Sequence, residues 1–562
     1  MNSGMSIRSR AITRRRKMME TAPSDSRKPK DLLDFKNRAW WETLLFALIF
    51  ILIFASYLIF KPLYGVVRNG MIAQIFSVSM IMIIACVGIY LKLTGKLTTR
   101  RLLLILFLAS VFVHLCYMLV TPMTLRQYDT FSTGTRQDGH FPYAVSFYLT
   151  GKLPTQYNTP ETAYQFYHPP LNAFIQGMFM RLFQPFLSLC RMKDINIDYL
   201  KPWIAMGYTQ DSALDLYNLY GANQILSCFY SLIASFFFFR SVSLFAKTEK
   251  GLLIGAIFCF FFPRLVQLGG QLNNDTLCVM LSSLSLYFTL RFYKDKRGTI
   301  PLLLAAASIG LAMMTKLNGA IIALPMAFCF LVVLIERIRA KDRVGSLIGQ
   351  YLIFLGIAAP LGLWFVFYSH FVMGFPFGWV FSNLNSALSV ADVNFFSRFL
   401  TPLSIHDLTT NVFFASPFED YNLPTYLVKT SIFGEFSYWQ GEAFAFVAFV
   451  AAYVQFFLFV TIGIAYLVQK KGIVRKDYGF AVALILSEVL MMFYFNIKMP
   501  YGCTMDFRYI VPILLGFAML ATRFNDAYSL QKDNPTNHLI SALNVDVCIY
   551  AAASSLFYLA AV

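Results

Sequence analysis

The chain is built from long apolar runs separated by short polar breaks. Thirteen such runs stand near 42–62, 71–91, 102–120, 217–239, 251–268, 275–292, 299–315, 317–336, 347–369, 443–468, 478–497, 508–523 and 541–560. A helix rises about 1.5 Å per residue, so runs of about 20 residues match a hydrocarbon layer about 30 Å thick. The pattern predicts an all-α polytopic membrane protein with about 13 transmembrane helices, whose extracytoplasmic loops carry interfacial helices. One further stretch, 171–189, is apolar enough to be counted as a span. It is expected to lie flat on the membrane instead, because Pro169-Pro170 opens it, Arg181 and Gln184 interrupt it and Pro185 bends it.

Composition fits that class. Hydrophobic residues make up 57% of the chain and charged residues only 14%, with a mean hydropathy of +0.59, where soluble domains carry about 25% charge. The net charge of +18 raises nucleic acid as a partner, but no aromatic and basic binding module accompanies it. The basic residues instead cluster in Arg14-Arg15-Arg16-Lys17 and between apolar runs, at Lys92 to Arg101, Arg291 to Arg297, Glu336 to Arg343 and Gln469 to Lys476. Positive loops stay cytoplasmic. The expectation is a multi-pass protein of the plasma membrane with a cytoplasmic N-terminus, lipids around it and no nucleic acid bound. The first run follows a long polar stretch and reads as an uncleaved anchor.

Counting crossings from that start places 121–216, Asn273-Asn274-Asp275, Thr315-Lys316-Leu317-Asn318, 370–442 and Lys498 through Arg508 on the outer face. If 171–189 crossed, every later basic loop would move outside. The expected organisation is a basic tail (1–39), a helical hairpin (40–101), a membrane core (102–369) with the outer loop 121–216, a second outer loop (370–442) and C-terminal helices (443–562). No internal repeat is visible. The nine cysteines are scattered without metal-ligand spacing, and only Cys190 and Cys503 fall in outer segments.

The polar residues of the outer face are the candidate chemistry. Asp129 lies just beyond a membrane helix, where the cost of desolvating a carboxylate suits it to proton abstraction, or where it could pair with Arg126 or cap the next helix. Asp138 and His140 follow after a Ser/Thr/Gly stretch. His168, in Tyr167-His168-Pro169-Pro170-Leu171, could meet a phosphate by hydrogen bond or charge, or could anchor the interface. Asn274 and Asp275 could cap a helix, or Asp275 could join Asp129 around a divalent metal ion or the acceptor. Lys316 and Arg508 could hold a lipid phosphate, or snorkel to headgroups. Glu488, inside an apolar run, is flagged by its placement alone.

At these residues the chain resembles the polytopic C-superfamily glycosyltransferases that use polyprenyl-phosphate sugars, in the branch of protein O-mannosyltransferases and lipid A aminoarabinose transferases. The resemblance rests on Asp129, on Gly139, His140 and Tyr143, on Leu153-Pro154, on Tyr167 through Leu171, on Asn274-Asp275, on Thr315-Lys316 and on Phe507-Arg508-Tyr509. It implies an inverting transfer in which Asp129, or Asp138, deprotonates an acceptor on a glycan, lipid or protein. Lys316, Arg508 and His168 would hold the donor phosphate, with His140, Asn274 and Asp275 near the acceptor or a metal ion. Two other readings remain: a transporter or flippase of lipid-linked sugars, which usually shows paired repeats, and a non-catalytic envelope assembly protein.

Overall fold

The computed structural model describes residues 39–63, 70–123, 126, 140–153, 167–192, 195–205, 207–296, 298–378, 389–401, 413, 422–438, 440–468, 475–530 and 536–560. The chain divides into two units, Met1–Leu45 and Phe46–Val562. All elements named below that bear on function lie in the second. The basic tail falls outside the described residues.

The apolar runs fold as helices. They comprise α1 (Ala39–Phe60), α2 (Met71–Leu93), α3 (Thr99–Val120), α4 (His140–Thr150), α5 (Leu171–Phe183), α6 (Gln210–Gly221), α7 (Gln224–Ser243), α8 (Glu249–Phe260), α9 (Pro263–Gly270) and α10 (Asp275–Asp295). They continue with α11 (Thr299–Thr315), α12 (Ala323–Arg339), α13 (Gly345–Phe371), α14 (Leu423–Phe433), α15 (Glu442–Val468), α16 (Arg475–Lys498), α17 (Ile513–Leu530) and α18 (Asn537–Ala560). Hydroxyl or amide side chains start several of them: Thr98, Thr209, Thr248 and Asn422 each accept a first-turn N–H.

Among the described residues, eleven helical stretches are long and apolar enough to cross a membrane. The two remaining expected runs are helical as well. One is the 17-residue α11; the other is α17, whose second half carries Arg523 and Asp526. The stretch 171–189 is helical throughout but not uniformly α-helical: α5 has 13 residues, Gln184–Phe186 tightens into a 3-10 turn, and Leu187–Cys190 adds a last α-turn.

The segment 370–442 contains α14, whose Leu423, Tyr426 and Ile432 are fully buried and which packs on α9, α15 and the Phe507–Tyr509 turn. At 11 residues it is too short to register as a span. The run 251–268 is broken, since Phe261 and Phe262 leave the helix and Pro263 starts α9 at its first position. All nine cysteines, Cys190 and Cys503 included, are free thiols.

Neighbouring helices pack in pairs: α10 along α11, α11 along α13, α15 along α18, and α8 against α17, with α11 and α13 running parallel, since Gln350 bonds Thr299 and Gly362 meets Met313. At the start of α8, Asp526 accepts the N–H groups of Lys247 and Thr248 and the Thr248 hydroxyl. That joins the first half of the chain to its C-terminal helices at the end of α8 remote from the turn that carries Asp275.

Candidate active site

The turn between α9 and α10 begins the site. Asn273 Oδ1 accepts the Asp275 N–H at 3.1 Å, and its amide donates to Gln271 Oε1 at 3.1 Å. Capping is therefore done by Asn273. Asn274 makes no cap bond, reaches Thr315 O at 3.5 Å through Nδ2, and leaves its buried Oδ1 without a partner.

This frees the Asp275 carboxylate for cations. Lys316 Nζ lies 2.5 Å from Asp275 Oδ1 and Arg508 Nε lies 3.8 Å from Oδ2, with Asp275 2% exposed. Lys316 can do this because the chain is extended at that residue, between the end of α11 and the 3-10 turn Leu317–Ile322. Its ammonium also sits 4.5 Å from the centre of the Tyr509 ring.

Arg508 is set by its own turn. Asp506 Oδ1 accepts the Arg508 N–H at 2.8 Å and caps the Phe507–Tyr509 turn. The same carboxylate takes Arg264 Nη2 at 2.7 and 2.8 Å, with both side chains buried. Charges thus alternate along Arg264, Asp506, Arg508, Asp275 and Lys316. Arg264, Arg508 and Lys316 thus face the two carboxylates of Asp506 and Asp275.

The two histidines meet because α4 crosses α5 closely. A Cβ on Gly177 would come within 2.6 Å of Ala144 O and 2.8 Å of Tyr148 N, so only glycine admits this approach. The His140 and His168 rings stack with centroids 5.8 Å apart and planes 22° apart, and the Tyr143 hydroxyl donates to His168 O at 3.4 Å. Burial first, then the neighbouring Lys316, His140 and Arg508, hold the His168 imidazole well below its usual pKa, so the ring is neutral.

A cavity of about 660 Å³ joins these parts. His140, Tyr167, His168, Asn274, Lys316 and Arg508 line its polar side. Its other side is apolar, formed by Leu317, Ile321 and Leu324 and by Met491, Tyr494 and Phe495 of α16. Leu324 and Tyr494 are 64% and 57% exposed, so this wall opens sideways between α12 and α16.

Of the residues singled out in the sequence, His140, His168, Asn274, Lys316 and Arg508 border this cavity, and Asp275 stands behind it as partner of the two cations. Asp129 and Asp138 lie outside the described residues. Arg126, three positions before Asp129, is buried with φ 60°. Its guanidinium lies over the Tyr438 ring at 3.9 Å, and its Nε donates to Ser437 O at 3.3 Å.

Sequence reasoning passed over Arg264, which sits in an apolar run where a charge is itself a signal. Glu488 lines a small cavity of about 10 Å³ with Asp275, Cys278, Ser282, Asn318 and Arg508, and both its oxygens are buried without a hydrogen-bond partner. Among the described residues no three His, Cys, Asp or Glu side chains gather as metal ligands. Asp275 gives its oxygens to Lys316 and Arg508, a donor set that does not suit a divalent ion.

Residues 220–364 match the family model described as dolichyl-phosphate-mannose-protein mannosyltransferase. The matched stretch runs from the end of α6 into α13 and includes Asn274, Asp275 and Lys316, while His140, His168 and Arg508 lie outside it. The chain is thus similar, over that stretch, to membrane glycosyltransferases that draw on a polyprenyl-phosphate sugar. No curated protein and no solved structure matches it significantly.

Proposed function

We propose, from the family match at 220–364 and the cavity beside it, that the protein is an inverting glycosyltransferase. It moves a sugar from a polyprenyl-phosphate donor to an acceptor at the extracytoplasmic face of the membrane. The observation that carries this reading is the sharing of one buried carboxylate, Asp275, by Lys316 and Arg508 at the cavity wall.

Transfer from a lipid phosphate leaves charge on the departing phosphate as the anomeric bond breaks. Lys316 and Arg508, held in place by Asp275 and Asp506, are preorganised for that charge and need not move to meet it. His168, neutral, offers the phosphate or the sugar a hydrogen bond without adding a cation. Asn274 Oδ1, buried and unpartnered, is an acceptor for a sugar hydroxyl. The lateral apolar opening between α12 and α16 suits the isoprenoid chain, which stays in the membrane while its head group reaches the polar wall. Asp129, or Asp138, is the base that takes the acceptor proton, and attack from the face opposite the phosphate inverts the anomeric carbon in one displacement.

The test is transfer from defined polyprenyl-phosphate sugars by protein in lipid nanodiscs. Lys316→Met and Arg508→Met are each expected to lose about 10²–10³-fold in kcat, the scale for removing one preorganised donor. Asp129→Asn is expected to be inactive, and full activity in that variant would move the base to Asp138. Donor binding without transfer by the wild type would favour a flippase, and unchanged rates in both cation variants would sink the enzyme reading.

A further inference from the structure

Helices α1 and α2 precede the core, and the reaction outlined above uses none of their residues. At the end of α1, one side chain nonetheless reaches into the core. Lys61 opens a 3-10 turn at the end of α1 and is 1% exposed. Its ammonium donates to Met118 O at 2.9 Å, Leu119 O at 3.4 Å and Thr121 O at 3.1 Å.

The acceptors lie in the last turn of α3 and at its cap. The final carbonyls of a helix have no partner within it, and they form the negative end of its dipole. An ammonium has three N–H groups and no acceptor, and here three carbonyls take them. Lys61 is thus a C-terminal cap of α3 supplied from another helix.

The cap is joined to a second one. Thr121 O also accepts Gln224 Nε2 at 2.7 Å, and the same amide nitrogen donates to Gly270 O at 2.8 Å. Gly270 ends α9, four residues before Asn274. Its own position is fixed by the Tyr117 ring, which a Cβ there would approach within 2.8 Å. Thr121 caps α3, from which the chain runs on towards Asp129, and Gly270 ends the helix before the turn that bears Asp275. One run of hydrogen bonds, from Lys61 through Thr121 O and Gln224 to Gly270 O, ties these two helix ends together.

We propose that Lys61 is a positioning residue, through which the end of α1 holds Thr121 and Gly270, from which the two acid-bearing segments start, in register. Its catalytic meaning rests on the glycosyltransferase reading, but the mechanical coupling does not. A helix that only added membrane anchorage would need no hydrogen-bond donor at this place, and a buried methionine would pack as well without the cost of burying a polar group.

The experiment compares wild type, Lys61→Met, Lys61→Arg and Gln224→Leu in nanodiscs, by amide hydrogen exchange and by donor-dependent transfer kinetics. Lys61→Met should speed exchange at 118–123 and at 270–276 while leaving 540–558 unchanged. It should lower kcat about 10- to 100-fold, the scale of a small misplacement of reacting groups, with donor KM within about 2-fold because the phosphate cations are untouched. Lys61→Arg should restore most of both effects. Gln224→Leu, which keeps the cap and breaks the bridge, should loosen 270–276 more than 118–123, and it carries the test should Lys61→Met not fold. Exchange at 270–276 unaltered in both Lys61→Met and Gln224→Leu would overturn the coupling, as would equal losses in kcat and stability that arginine does not rescue. If the wild type itself transfers no sugar, the enzymatic reading falls and the exchange measurements still decide the coupling.

Discussion

His168 shows how neighbours far away in sequence decide a side chain's chemistry. Taken with Pro169-Pro170 alone, it could offer a phosphate either a charge or a hydrogen bond. The fold places it, half-buried, among Lys316, His140 and Arg508, and burial together with those groups keeps the ring neutral. Its folded pKa lies below the unfolded value of about 6.5, so the native state gains from the neutral ring fully above about pH 6.5 and loses that gain as pH falls. The melting temperature of the wild type should therefore drop on acidification from pH 7 to 5 more than that of His168→Gln. Parallel curves for the two proteins would show that the ring is not held in this way. Asp275 teaches the same lesson: Asn-Asn-Asp before a helix reads as a cap from spacing, and Asn273 takes that task while the Asp275 carboxylate pairs with Lys316 and Arg508.

At the scale of elements, the legible features were those with a local cause. Pro169-Pro170, Gln184 and Pro185 sufficed to foresee that the α-helix begun at Leu171 is interrupted at Gln184, where it tightens into a 3-10 turn, because proline acts on its own turn. Helix α14 was not legible, since 11 residues buried on several sides give neither the length of a span nor a one-sided periodicity. The crossing of α4 and α5 hid behind one glycine. Gly177→Ala should cost about 1–3 kcal/mol as the helices part and should weaken donor binding by separating His140 from His168. Gly349→Ala, at a helical position with open space around it, should be neutral or slightly stabilising. Thermal unfolding and donor titration of the two variants check both statements, and equal effects would mean that the α4–α5 approach is not close.

Over the whole molecule, the segments that charge counting assigns to the outer face, at 140, 168, 275, 316 and 508, border or back one cavity. Basic segments assigned to the opposite face meet one another instead, as where Lys296 pairs with Glu336 at 2.6 Å. The orientation itself is open to direct test in a cysteine-free background. Asp198→Cys should react with an impermeant maleimide on intact cells, and Asp342→Cys only after permeabilisation; the reverse result would turn the molecule over and put the cavity on the cytoplasmic side. Sequence assigns a sidedness because lysine and arginine counts are local, whereas the Arg264–Asp506 pair is visible only in the closed fold. The Asp275–Lys316 pair also bears on how the chain is made. Lys316 follows Asp275 by 41 residues, about 2–8 s of translation, whereas Arg508 follows Lys316 after about 10–40 s more. During that interval the carboxylate already has a cation from the adjoining hairpin, so a nascent chain can bury it before the distant arginine exists, and the site is completed by the last helices to be inserted.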